Sequence, residues 1–203
     1  MEGIFLKTAI ENAKKDLVKA ATNVYQSGIQ TGNGGNISVR VAGYDCMAIK
    51  ASGVSFIECN EDNTVIVDFD GKVIEGNRKP SQEFVLHASL YKKYESIGGI
   101  VHTHSPYAIT WTFTQRDLPV LTRHAKLKLK YDIPNLPFDS PTIPEEGMQE
   151  IYRVIDERKG LEAFLLEGHG IVALGKNGFA AGQTAQLIEE TAKIAYLNEL
   201  LKK

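Results

Sequence analysis

Apolar residues near the start of the chain recur at helical spacing. Ile10, Ala13, Leu17, Ala20, Ala21, Val24 and Gly28 share one face, with Glu11, Lys14, Lys15, Asp16 and Lys19 elsewhere. This pattern predicts an opening amphipathic helix. The rhythm then changes to short β-rich runs at 36–40, 46–50 and 65–69, separated by Gly, Asn and Asp, which predicts a meander of strands. Pro80 is placed for the first turn of a second helix over 81–94, where a missing backbone donor costs nothing. A buried strand is expected at 99–103 and a third helix from Ser105-Pro106. The stretch 118–144 is irregular and proline-rich. A fourth helix is expected over 145–159, a strand pair at 163–166 and 171–174 around Gly168-His169-Gly170, and a closing helix over 179–201. Strands interleave with helices and no repeat or low-complexity linker interrupts them, so one layered α/β domain spanning 1–203 is the economical reading.

Composition narrows the function. A chain of 203 residues, 43% of them hydrophobic, is long enough to bury roughly 70% of its unfolded surface. Lys and Arg number 23 against 25 Asp and Glu, a net charge of −2, so charge alone implies no nucleic-acid partner. An anionic ligand must be held by local groups. Two cysteines, Cys46 and Cys59, are too few and too oddly spaced for a zinc ribbon or a disulfide framework. The start, Met1-Glu2-Gly3-Ile4, lacks the basic and apolar regions of a signal peptide, and no apolar run reaches membrane-spanning length. The expectation is a soluble cytoplasmic protein with no membrane partner.

Chemistry concentrates at three histidines. In His102-Thr103-His104, at the end of an apolar strand, side chains two apart point to one face and two imidazoles can grip one ion. A strand end capped by two histidines would look the same, so the pair alone leaves the matter even. His169, in Glu167-Gly168-His169-Gly170, has glycines on both sides that permit a tight turn. Three histidines leave a fourth position for water or substrate, the layout of a catalytic zinc rather than a closed structural site. His87, within the second helix, reads as a core-edge residue, and His124, in Arg123-His124-Ala125-Lys126, as a solvated one.

Glu83 follows Lys79-Pro80-Ser81-Gln82. A glutamate in a first helical turn is favoured by the helix dipole alone, but Ser81, Gln82 and the free amides of a helix start also make an anion site. Thr31-Gly32-Asn33-Gly34-Gly35-Asn36-Ile37-Ser38, before a strand, and Ala51-Ser52-Gly53, after one, can likewise turn amides toward a phosphate. The first run matches neither a P-loop nor a dinucleotide fingerprint.

Taken in order, Gly35-Asn36-Ile37-Ser38, Ser52-Gly53, Pro80-Ser81-Gln82-Glu83, Val101-His102-Thr103-His104-Ser105 and Gly168-His169-Gly170 resemble the class II aldolase/adducin family over nearly the whole chain. The family holds fuculose-phosphate and rhamnulose-phosphate aldolases, ribulose-phosphate 4-epimerases, methylthioribulose-phosphate dehydratases and the non-catalytic adducin head. The resemblance implies a three-layer α/β/α domain around a mixed, largely antiparallel sheet, assembled as a homotetramer with active sites between subunits. It implies one divalent ion, zinc or manganese, on His102, His104 and His169, with Glu83 as acid–base residue that also binds the metal before substrate arrives. Gly35, Asn36, Ser52, Gly53, Ser81 and Gln82 become the phosphate cradle. The implied reaction is reversible cleavage of a ketose 1-phosphate of the fuculose, ribulose or 5-deoxyribulose type to dihydroxyacetone phosphate and an aldehyde. A glutamate at 83, where the epimerases carry aspartate, favours the aldolases. Arg123 stands where fuculose-phosphate aldolase has a tyrosine, and the chain stops at Leu201-Lys202-Lys203 without that enzyme's tyrosine-bearing tail.

Overall fold

The amphipathic opening forms α1 (Glu2–Gln26), followed by the antiparallel run β1 (Asn36–Arg40), β2 (Cys46–Lys50), β3 (Thr64–Asp68) and β4 (Val73–Glu75). Then come α2 (Phe84–Lys93), β5 (Gly99–Thr103), α3 (Pro106–Thr112), α4 (Arg123–Lys126), β6 (Asn135–Leu136), α5 (Gly147–Glu157), β7 (Ala163–Leu166), β8 (Gly170–Gly175) and α6 (Gly178–Leu200). This computed structural model describes residues 2–138, 142–143 and 147–202. The expected start of the fourth helix at Glu145 lies outside them.

The strands make one sheet in the order β4-β3-β2-β1-β5-β8-β7-β6. Neighbours run antiparallel except the parallel pair β6 and β7. The central strands are buried on both faces, which is why they read as continuous apolar runs rather than alternating ones. On one face α1 and α6 pack on each other and on β1, β2, β5 and β8, with α3 against α6. On the other, α2 rests on β2 and meets α5, where the Tyr152 hydroxyl donates to the Ser89 carbonyl at 3.3 Å. The result is the three-layer α/β/α arrangement around a largely antiparallel mixed sheet.

Two carboxylates fasten helix starts from a distance. Asp16 on α1 accepts from the N–H groups of Gly178 (2.6 Å) and Phe179 (3.2 Å) at the head of α6. Glu189 on α6 accepts from Tyr107 (2.9 Å) and Ala108 (2.8 Å) at the head of α3. Each satisfies donors a helix start leaves unpaired and puts negative charge at the positive end of the dipole.

The second helix departs from expectation. Pro80 is not in its first turn: it bridges Ala51 in an extended segment, with the Ser52 N–H on the Lys79 carbonyl (2.9 Å) and the Ser81 N–H on the Lys50 carbonyl (3.2 Å). This pairing beside the end of β2 holds 79–81 extended, so the helix begins at Phe84 with Glu83 as its cap. The stretch 118–144 carries α4, β6 and a bridge between Leu118 and Ile133.

Candidate metal centre

Register assembles the site. Asn36 on β1 pairs directly with His102 on β5, so both side chains leave the sheet on the same face, toward the start of α2. His102 itself pairs with Val172 of β8, and the tight turn into β8 carries His169 back over the end of β5. His104 lies one residue past β5, and its backbone N–H donates to the buried Gln30 side chain at 2.7 Å. The three rings converge, with centroids 5.0, 4.5 and 4.9 Å apart.

Close backbone approach demands glycine here. A Cβ on Gly34 would stand 2.7 Å from Nδ1 of His104, and one on Gly35 2.6 Å from the His102 carbonyl oxygen. Gly35 also has φ of +66°. These two residues therefore wall the histidines as well as lead into β1.

The donor set fits a divalent ion. His102 Nδ1 lies 2.8 Å from the Ile171 carbonyl, which can only accept, so that nitrogen carries the proton and Nε2 presents its lone pair to the site. His102 Nε2 and His169 Nε2 are 3.2 Å apart, close to the roughly 3.3 Å edge that two zinc–nitrogen bonds of about 2.0–2.1 Å span at a tetrahedral angle. His104 Nε2 and His169 Nδ1 are buried without a hydrogen-bond partner among the described residues. One candidate ligand atom from each ring lies within 4.8 Å of the others. Burial, and then the neighbouring rings, hold His102 well below its ordinary pKa, and burial followed by His169 lowers His104. All of this keeps lone pairs available to a cation.

Glu83 stands over the cluster, its Oε1 3.6 Å from His169 Nε2 and its Oε2 3.7 Å from His102 Nε2. Burial pushes its carboxyl pKa up, against the pull of a hydrogen bond from Asn36 Nδ2 (2.9 Å) and of His169 and Lys50.

The expected phosphate groups cluster beside Glu83, with some donors already committed. The Ser52 and Ser81 amides are spent on backbone carbonyls, and the Ser81 hydroxyl accepts from the Glu83 N–H at 3.4 Å. Lys50, buried beneath, fastens the Ser52-Gly53 turn by donating to the Val54 carbonyl at 2.5 Å. Asn36 is buried, one amide proton on Glu83 and its oxygen on His87. His87 is no core-edge residue: it is fully buried, with both ring nitrogens hydrogen-bonded to side chains. His124 is exposed as expected, 3.5 Å from Glu190. Gln30, which positions His104, belongs to no motif in the sequence. A cavity of about 390 Å³ lies on the Gly168 side of the histidines, walled by Phe113, Pro137, Phe138 and Glu167.

Known proteins share this arrangement of chain. A 5-deoxy-D-ribulose 1-phosphate aldolase of Bacillus thuringiensis serovar kurstaki is 33% identical over 190 residues, 92% of this chain and 85% of that one. An L-ribulose-5-phosphate 4-epimerase of Salmonella paratyphi C is 32% identical over 200 residues, 93% and 86%. Among solved structures, an L-fuculose 1-phosphate aldolase superposes with a TM-score of 0.80 at 29% identity, covering 95% of this chain and 88% of that one. The profile described as Class II Aldolase and Adducin N-terminal domain matches residues 15–196. With its sheet order, its converging histidines and a match over most of its length, the chain belongs to the class II aldolase and adducin family.

Proposed function

We propose that this protein is a metal-dependent aldolase that reversibly cleaves a ketose 1-phosphate to dihydroxyacetone phosphate and an aldehyde. The observation that carries the reading is the His102, His104 and His169 cluster, ligand atoms within 4.8 Å of one another, with the Glu83 carboxylate 3.6–3.7 Å away. A scaffold like the adducin head has no use for this complete set. Three nitrogen ligands and an open position suit zinc, with manganese as the alternative. Bound there, the ion would supply a Lewis acid beside the substrate's carbonyl oxygen.

The chain's own residues do the rest. Glu83 takes the proton from the carbon next to the carbonyl of dihydroxyacetone phosphate in the synthetic direction, and returns it to the enediolate carbon after cleavage. Its buried, raised carboxyl is suited to both tasks. Gly35, Asn36, Ser52, Gly53, Ser81 and Gln82 form the phosphate cradle, chiefly through the Ser52 and Ser81 hydroxyls and the Gly53 and Gln82 amides. The phenylalanine-walled cavity beside Gly168 suits an aldehyde with little polar surface.

The protein functions as one domain over 1–203 and as a homotetramer closing each site with a neighbour. Val85 and Phe113, 41% and 67% exposed near the site, support that assembly. Light scattering showing a monomer at micromolar concentration would refute it. Its two free, buried thiols suit the cytoplasm. The deciding experiment is a panel of ketose 1-phosphates, including fuculose and 5-deoxyribulose 1-phosphates, read by release of dihydroxyacetone phosphate. Conversion of ribulose 5-phosphate without any such release would make the protein an epimerase instead, the activity named for the Salmonella relative.

A further inference from the structure

A line of buried polar side chains runs from Glu83 away from solvent into the seam between α2 and β1. Asn36 Nδ2 donates to Glu83 Oε2 at 2.9 Å, and Asn36 Oδ1 lies 2.5 Å from His87 Nε2. His87 Nδ1 lies 2.6 Å from the Ser38 hydroxyl, itself 2.8 Å from the Tyr91 hydroxyl. All four inner residues are buried.

Proton positions along this line are determined by elimination. An ionised Glu83 can only accept, so the Asn36 amide turns its NH₂ toward it and its oxygen toward His87. That oxygen can only accept, so His87 carries its proton on Nε2. Nδ1 then accepts from Ser38, and the Ser38 oxygen accepts from Tyr91. Burial lowers the His87 pKa to about 3, so the ring is neutral and has one donor and one acceptor, as this arrangement requires. Each link donates in the direction of Glu83. An ordinary core histidine would be satisfied by any two partners; here both ring nitrogens serve the one order that leads to the carboxylate.

We propose that His87 is a positioning residue for proton transfer: it locks the Asn36 amide so that a donor always faces Oε2 of Glu83, fixing the rotation of that carboxylate over the three histidines. Without His87 the amide is free to turn over, bringing its oxygen against the carboxylate and swinging Glu83 off its line to the reacting carbon. The proposal rests on the reading of Glu83 as the base, and the test separates the two.

The assay is deuterium incorporation into dihydroxyacetone phosphate in heavy water. The carbon–hydrogen bond breaks, the proton passes to Glu83 and exchanges with solvent, and a deuteron returns to the carbon, with no aldehyde required. His87→Leu should slow exchange about 10- to 100-fold at nearly unchanged KM and metal content, the effect of losing one oriented hydrogen bond to a charged group. His87→Gln, whose amide can place a donor near the Nε2 position, should recover most of the rate. Nitrogen-15 shifts of the His87 ring should show the proton on Nε2 in metal-free and metal-loaded protein alike. Exchange by His87→Leu within about twofold of the parent, beside a Glu83→Gln protein that has lost exchange, overturns the relay and leaves the base standing. Parental exchange in Glu83→Gln overturns the base itself. Equal losses in the Leu and Gln variants, or a proton on Nδ1, reduce His87 to a structural role and refute the proposal. Should His87→Leu fail to fold, Ser38→Ala, which touches neither metal ligand nor substrate, removes the donor that fixes the tautomer. It should slow exchange several-fold, and an unchanged rate overturns the proposal.

Discussion

Substituting Gly170 by alanine should damage stability and the candidate metal centre together. Gly170 opens β8 directly after His169, with φ of +148°, a backbone conformation that a residue with a side chain rarely adopts. An added Cβ would stand 2.1 Å from the Thr103 carbonyl oxygen and 3.3 Å from Cα of His104. Neither neighbour is a flexible side-chain end; both are backbone at the close of β5. The conformational strain costs about 1–3 kcal/mol and the steric overlap about 1–3 kcal/mol more. A combined loss of about 4 kcal/mol lowers Tm by about 8–16 °C in a chain of this size. Relief can only come from parting β5 and β8 where Thr103 faces Ile171, and that movement separates His104 from His169. Zinc should therefore raise Tm less in Gly170→Ala than in the parent, since stabilisation follows the ratio of free ion to its Kd. The assay is thermal unfolding of metal-stripped protein over a zinc titration. A Tm within about 2 °C of the parent, with an equal zinc-induced rise, would show that the turn tolerates a side chain and that its geometry does not hold the histidines together.

Other outcomes can be checked independently. Ser81→Ala removes one phosphate donor and should act mostly by raising KM, with metal content unchanged; a loss confined to kcat would place Ser81 elsewhere in the reaction. Glu189→Ala strips the head of α3 of both its acceptors and should cost about 1–3 kcal/mol in urea unfolding; no loss would mean water replaces the carboxylate without cost. Burial pushes the Cys46 thiol from 9.0 up to about 11 and raises Cys59 as well. The unfolded chain thus gives up these protons first, so this contribution to stability is intact below about pH 9 and declines as pH rises toward 11. A thiol reagent at pH 8 should find both cysteines only after denaturation, and rapid labelling of native protein would contradict their burial.

Much of the sheet and the three histidines were legible because their signals are local. Apolar runs bounded by turn residues located β1, β2, β5 and β7, and glycines around His169 marked the turn that returns it to the cluster. Features set by pairing across the chain were not. Proline's fit to a first helical turn placed Pro80 at the head of α2, whereas its bridge to Ala51 holds that segment extended. β4 escaped notice because its three residues are all exposed and pair on one side across an irregular register. His87 looked unremarkable because nothing in a helical period reveals that Asn36 and Ser38 lie opposite it; that follows from the folding of β1 against α2. Gln30 and Glu189 work through partners 74 and 82 positions away, which no motif encodes.

One consequence concerns how the molecule opens. β1 holds α2 at both ends: Asn36 and Ser38 bind its start through Glu83 and His87, and at its tail Ser38 meets the Tyr91 hydroxyl while the Arg40 guanidinium donates to the Tyr91 and Tyr94 carbonyls and stacks on the Tyr91 ring. A helix stitched to a central strand along its whole length cannot fray from either terminus without exposing that strand's buried polar groups. Amide exchange of α2 and β1 should therefore proceed as one cooperative unit, near the rate of global unfolding, even though α2 lies on the outside of the sheet.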